Sequence, residues 1–120
     1  MNEKCKNEIK NAMEEFCMAY GKTDLVALLL YMTEDTTLPT IAVSSEWLDE
    51  LDPFQSTFVV VDFLKENNSE ILKKVDAVIT VHTEDESMKR LINIVNQKEA
   101  TYLENVRFFG TTISKIEIIL

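Results

Sequence analysis

Eight consecutive apolar residues, Leu25 to Met32 (LVALLLYM), constrain this chain more than any other feature. A segment with no polar face must be covered on both sides. Eight residues are too few to cross a bilayer, which takes roughly 20. A short, continuous apolar run reads instead as a strand inside a sheet that carries helices on both faces.

The rest of the chain supplies those layers. Ile9, Ala12, Met13, Phe16 and Tyr20 recur at spacings of three and four, one stripe of an amphipathic helix. Cys5 and Cys17 extend that stripe, and Gly21 is placed to end it, where a left-handed residue favours glycine. After the polar break Glu34-Asp35-Thr36-Thr37, Leu38 to Val43 reads as a second strand, antiparallel to the first, with Pro39 near its start. Ser44 or Ser45 is placed to cap a short helix through Trp47, Leu48 and Leu51, and Asp52-Pro53 reads as a turn.

Thr57 to Leu64 (TFVVVDFL) is β-branched and aromatic, which predicts a strand. Asn67 and Glu70 have capping spacing for a helix through Ile71, Leu72 and Val75. Ala77 to Val81 predicts another buried strand. Thr83 with Glu86 forms a capping box ahead of a helix whose apolar face is Met88, Leu91, Ile92 and Val95. Val106 to Phe109 reads as a short strand. Ile113 to Leu120 reads as a last strand, with Ile116, Ile118 and Leu120 on one face.

The expected order is α-β-β-α-β-α-β-α-β-β, a single α/β domain over residues 1–120 with a mixed sheet of about five to six strands and packed helices. Its middle resembles a βαβα run, which favours a parallel pair between strands 57–64 and 77–82. With two glycines and two prolines in 120 residues, the turn-rich all-β designs are disfavoured.

The first ten residues contain no apolar stretch of signal-peptide type. Cys5 and Cys17 lie twelve positions apart on one helix, too far to bond to each other, and read as free thiols. Both features point to a cytoplasmic protein that is not inserted in a membrane.

Charge is the most informative functional signal. The chain has 21 acids, 12 bases and a net charge of −9. Between Thr23 and Leu64 stand eight acids and no lysine or arginine. Affinity for nucleic acid comes mainly from Lys and Arg neutralising phosphates, so direct DNA or RNA binding is excluded. A one-signed field attracts a basic partner instead. The candidate contact residues are Glu46, Trp47, Asp49, Glu50 and Asp52, with Glu34 and Asp35 beside them; an aromatic among acids suits a basic protein surface. The bland alternative is an acidic surface that serves solubility, with Trp47 in the core.

Chemical motifs are few. His82, the one histidine, follows a predicted strand, and Asp62 occupies the comparable place on the preceding one. If those strands are parallel neighbours, the two side chains meet at the carboxyl edge where open α/β sheets bind ligands, and a carboxylate beside an imidazole is the minimum for general-base work. Glu34 with Asp35, or Glu84, Asp85 and Glu86, are the only carboxylate groupings a hard cation might use, and neither matches an EF-hand loop. No zinc-ligand spacing, glycine-rich phosphate loop or nucleophile elbow is present, so no metal or cofactor is expected.

Three roles follow. The leading one is a small acidic interaction module for a basic protein, as an immunity protein, an inhibitor or a chaperone would be. The second is a small enzyme or ligand-binding domain built on Asp62 and His82. The third is a structural subunit that forms a homodimer by edge pairing of the C-terminal strand.

Overall fold

The structure is a computed structural model that describes residues 3–108 and 110–120. The elements in chain order are α1 (Glu3–Tyr20), β1 (Val26–Tyr31), β2 (Thr40–Ser44), α2 (Glu46–Asp49), α3 (Pro53–Asn67), α4 (Ser69–Leu72), β3 (Ala77–Thr80), α5 (Glu86–Gln97), β4 (Tyr102–Phe108) and β5 (Thr111–Ile118). The five strands form one mixed sheet in the order β3-β2-β1-β5-β4. β1 is antiparallel to β2 and to β5, β4 is antiparallel to β5, and β2 and β3 are the parallel pair.

The apolar run is the central strand, and all six residues of β1 are buried. Its alternation divides the core. Ala27, Leu29 and Tyr31 face one side with Ile41 and Val43, under α1, α2, α3 and α4. Val26, Leu28 and Leu30 face the other with Ala42, under α5 and alongside Ile113 and Ile116. Helices on both faces make a three-layer α/β sandwich. The α1 stripe is seated as its spacing requires, with Ile9, Ala12, Met13 and Phe16 buried. Gly21 ends the helix at φ +63°. Cys5 and Cys17 are half-buried and form no disulfide. Burial, followed by the nearby acids Asp24 and Glu14, pushes the Cys17 thiol up, which makes it a poor nucleophile.

One predicted strand is a helix. Residues 57–64 belong to α3, which begins where the turn was expected. The Asp52 carboxylate accepts the Gln55 N–H at 2.9 Å, and Pro53 occupies the first helical position. Proline there loses no helical hydrogen bond, and its φ is already set for a helix. Ser56, Val60 and Leu64 then recur at helical spacing and are buried. Packing of that stripe outweighs the strand preference of three successive valines. The parallel partner of β3 is therefore β2, not segment 57–64, with α2, α3 and α4 forming the crossover.

Smaller corrections have similar causes. Asn68, not Asn67, is the N-cap of α4 and makes no side-chain cap bond, while the Asn67 amide donates to the Phe63 carbonyl at 2.9 Å. Asp85, not Thr83, caps α5 by accepting the Met88 N–H. β3 is an edge strand with Ala77 exposed and its other residues half-buried. β4 is longer than the segment expected, and Phe109 lies outside the described residues. Ile116 and Ile118 share the α5 side, but Leu120 packs against the opposite core. Finally, β5 pairs on both sides, with β1 and β4. Lys115 to Ile118 are thus engaged on both edges, and nothing in the structure supports the dimer expected through the C-terminal strand.

Strand parity turns Glu117 of β5 toward α1, where Lys6 meets it at 3.0 Å and Lys115 lies 3.5 Å away. Only 9 % of Glu117 is exposed. Burial pushes its carboxyl up, but the Lys6 hydrogen bond and the charges of Lys6 and Lys115 outweigh this and hold it below the ordinary value. Glu3 and Glu117 hold Lys6 above its ordinary value. Burial, then Glu117, raises the Tyr31 phenol beside them.

A carboxyl depressed in the folded state stabilises above its unfolded pKa and loses that contribution as pH falls through the folded value. The window therefore opens near pH 4.5 and extends downward. Glu117→Gln should cost about 1–3 kcal/mol at pH 7. Urea unfolding of both proteins at pH 7 and pH 3 checks this. The difference should be smaller at pH 3, because below pH 4.5 the unfolded carboxyl takes up its proton more readily than the folded one and the contribution falls away; an equal difference at both values contradicts the account.

Candidate functional site

The carboxyl ends of β2 and β3 and the start of β1 lie at one edge of the sheet, because β1 is antiparallel to β2. Most of the candidate residues gather there. Asp24, just before β1, accepts from Ser45 Oγ and from the Glu46 N–H, both at 2.8 Å. Ser45 therefore occupies the N-cap of α2 without capping it, and Asp24 satisfies that helix start from a distance in sequence. Asp49, at the other end of α2, accepts the Thr83 N–H at 3.1 Å and the Thr83 hydroxyl. This carboxylate ties α2 to the loop after β3. Asp52 caps α3.

Three acids of the bare segment thus hold helix ends and loops, and their charge remains at the same edge. Glu46 and Glu50 are exposed. Glu34 and Asp35 are not part of this group. They precede β2 while α2 follows it, so the length of the five-residue strand, roughly 15 Å, separates them.

Trp47 is half-buried against the α1 side of the core. Its ring stacks on Tyr20 with centroids 5.1 Å apart, and on Phe16 at 6.2 Å. The Lys22 ammonium lies 5.9 Å from its centroid, and its indole N–H is buried without a hydrogen-bond partner among the described residues. Trp47 therefore packs in part within its own fold, against Phe16 and Tyr20.

The most exposed aromatics among the described residues are Phe54 and Phe58. They lie four residues apart on the outward side of α3, with 81 % and 58 % of their surfaces open. Residues at that spacing are neighbours on a helix surface. The reading of 57–64 as a strand hid them, because helical spacing was not sought there. The cap Asp52 and the first-turn Pro53 were the signals that could have revealed the pair.

His82 does not meet Asp62. Asp62 sits in the third turn of α3, half-buried, and not at a strand end. The carboxylate beside His82 is Asp49, 3.7 Å from Nδ1. That nitrogen accepts the Glu84 N–H at 3.0 Å, so the neutral ring carries its proton on Nε2. An imidazole oriented by a carboxylate for general-base work donates from the nitrogen nearest that carboxylate. Here that nitrogen accepts, and Asp49 already holds Thr83.

Beside them, the Thr80 hydroxyl is shared between Ser56 at 2.6 Å and Thr57 at 2.9 Å, which binds α3 to the end of β3. Among the described residues, no group of three or more His, Cys, Asp or Glu is arranged to hold a metal ion. Glu84 is exposed and pairs with Lys89 at 3.2 Å, while Asp85 is spent on its cap. No described helix is long and apolar enough to cross a membrane.

No family model matches this sequence, and comparisons with curated proteins and with solved structures return no match.

Proposed function

We propose that this protein is an interaction module that binds a basic protein partner, in the manner of an immunity protein, inhibitor or chaperone. Phe54 and Phe58 on α3 are the apolar anchors, and Glu46, Glu50 and Asp52 are the charged rim. The observation that carries this reading is the open aromatic pair, placed within the stretch from Thr23 to Leu64 that has eight acids and no base. Phenylalanine exposed to this extent loses favourable burial in the free protein and regains it under a partner. The surrounding field selects a basic partner and speeds its approach.

The reading is tested by reversing charge where it serves no fold. The side chains of Glu46 and Glu50 are exposed, and neither acts as one of the caps described above. In Glu46→Lys/Glu50→Lys, capture of the partner from a lysate of the source cell should fall about tenfold in low salt. The deficit should narrow as salt screens the wild-type surface. A partner retained equally by both proteins at low salt overturns the charged-rim role.

A further inference from the structure

We infer that the cleft between the C-terminal turns of α1 and α5 binds a small hydrophobic amine, an aliphatic chain that ends in an ammonium group. No residue of α3 lines this cleft, so the site is separate from the partner surface proposed above. Its volume is about 690 Å³, within the range of small-molecule sites. Such sites combine an apolar lining with a few polar groups that fix orientation.

The lining has that composition. Cys17 and Met18 come from the last turn of α1, Leu25 and Val26 lead into β1, Val95 comes from α5, and Leu120 follows β5. Met18 is 81 % exposed in the free protein. A chain laid in the cleft would cover it together with half-buried Cys17, Val95 and Leu120. Removing that apolar surface from water favours binding.

Charge selects the head group. Two carboxylates line the cleft, Glu14 on α1 and Asp24 before β1, and neither has a cation as partner among the described residues. Asp24 is held by two uncharged donors, Ser45 Oγ and the Glu46 N–H, which leave its negative charge unneutralised. The C-terminal ends of two helices also meet here, α1 of 18 residues and α5 of 12, and neither has a basic residue in its last turn. Each helix C-terminus carries roughly half a negative charge, which a nearby cation offsets.

The two lysines just beyond these helices leave that position open. Lys22 lines the cleft, but its ammonium lies 5.9 Å from the centre of the Trp47 ring. Lys98, the C-cap of α5, does not line it. The field reaches the interior: after burial, Asp24 and Glu14 are what push the Cys17 thiol up. An ammonium group would offset the carboxylates and the helix ends while its chain covers the apolar lining. A carboxylate in the same place would be repelled.

The probes are hexylammonium, hexanol and hexanoate, which share one chain length and differ in charge at pH 7. Each is titrated into the ¹⁵N-labelled protein. Hexylammonium should shift the amides of residues 17–26, 95–96 and 120 saturably, and bind about tenfold more tightly than hexanoate. Glu14→Gln, at an exposed position, should weaken hexylammonium about threefold and leave hexanol unchanged. Met18→Ser should weaken both about threefold.

Hexylammonium shifts centred elsewhere, equal affinity for hexylammonium and hexanoate, or wild-type affinity for hexylammonium in Glu14→Gln would each overturn the assignment. So would the absence of any saturable shift. The lysate experiment above judges the partner surface separately.

Discussion

Leu29→Ala should destabilise the protein by about 2–5 kcal/mol, the range for truncating a fully buried leucine. Leu29 lies in the central strand with no exposed surface. It pairs across the sheet with Ile41 on one side and Glu117 on the other, and its side chain faces the core shared by α1, α3 and α4. Helices rooted on three separate elements cannot all shift inward to fill the space, so the cavity term should be large. Domains of this size have about 5–15 kcal/mol to lose. The melting temperature should therefore fall by on the order of 10–20 °C. Calorimetry checks this, and a fall of only one or two degrees would mean that the central strand is not packed on this face as described.

The second large effect is on binding alone. Phe54→Ser/Phe58→Ser removes the two apolar anchors and leaves the buried stripe Ser56, Val60 and Leu64 of the same helix intact. Central aromatic contacts typically contribute 2 kcal/mol or more each, so partner affinity should fall about 100-fold or more. Stability should stay within about 0.5 kcal/mol of wild type, because both rings are open in the free protein. Loss of binding together with loss of stability would place the rings in the fold and not at its surface.

Those two predictions separate what the sequence made legible from what it did not. The α/β class with a mixed sheet was legible because its signals are local and mutually consistent. The run at Leu25 to Met32 admits only a doubly covered strand, and the stripes on α1 and α5 have clear helical spacing. Segment 57–64 was misread because Val59, Val60 and Val61 favour strands, whereas its helix depends on burial of Val60 and Leu64 and on a cap and proline just upstream.

That one error moved the functional reading. It brought Asp62 beside His82, when the residue His82 meets is Asp49, 33 positions earlier in the chain. It also concealed Phe54 and Phe58. The acids were visible as residues, but their tasks were not. Asp24 serving α2 and Asp49 serving Thr83 are long-range contacts that no local pattern encodes. Trp47 looked like an anchor because its neighbours in sequence are charged, while its neighbours in space are Tyr20 and Phe16.

The central claim, that the aromatic–acidic face of α3 is the working surface, is tested most directly by quantitative capture from a lysate of the source cell with three matched baits. These are the wild type, Phe54→Ser/Phe58→Ser, and Met18→Ser, which removes an equally open apolar side chain, 81 % exposed, from α1. A basic protein retained in stoichiometric amount by the wild type and by Met18→Ser, and lost with the double phenylalanine variant, is the expected result. The same protein retained by all three baits would contradict the account.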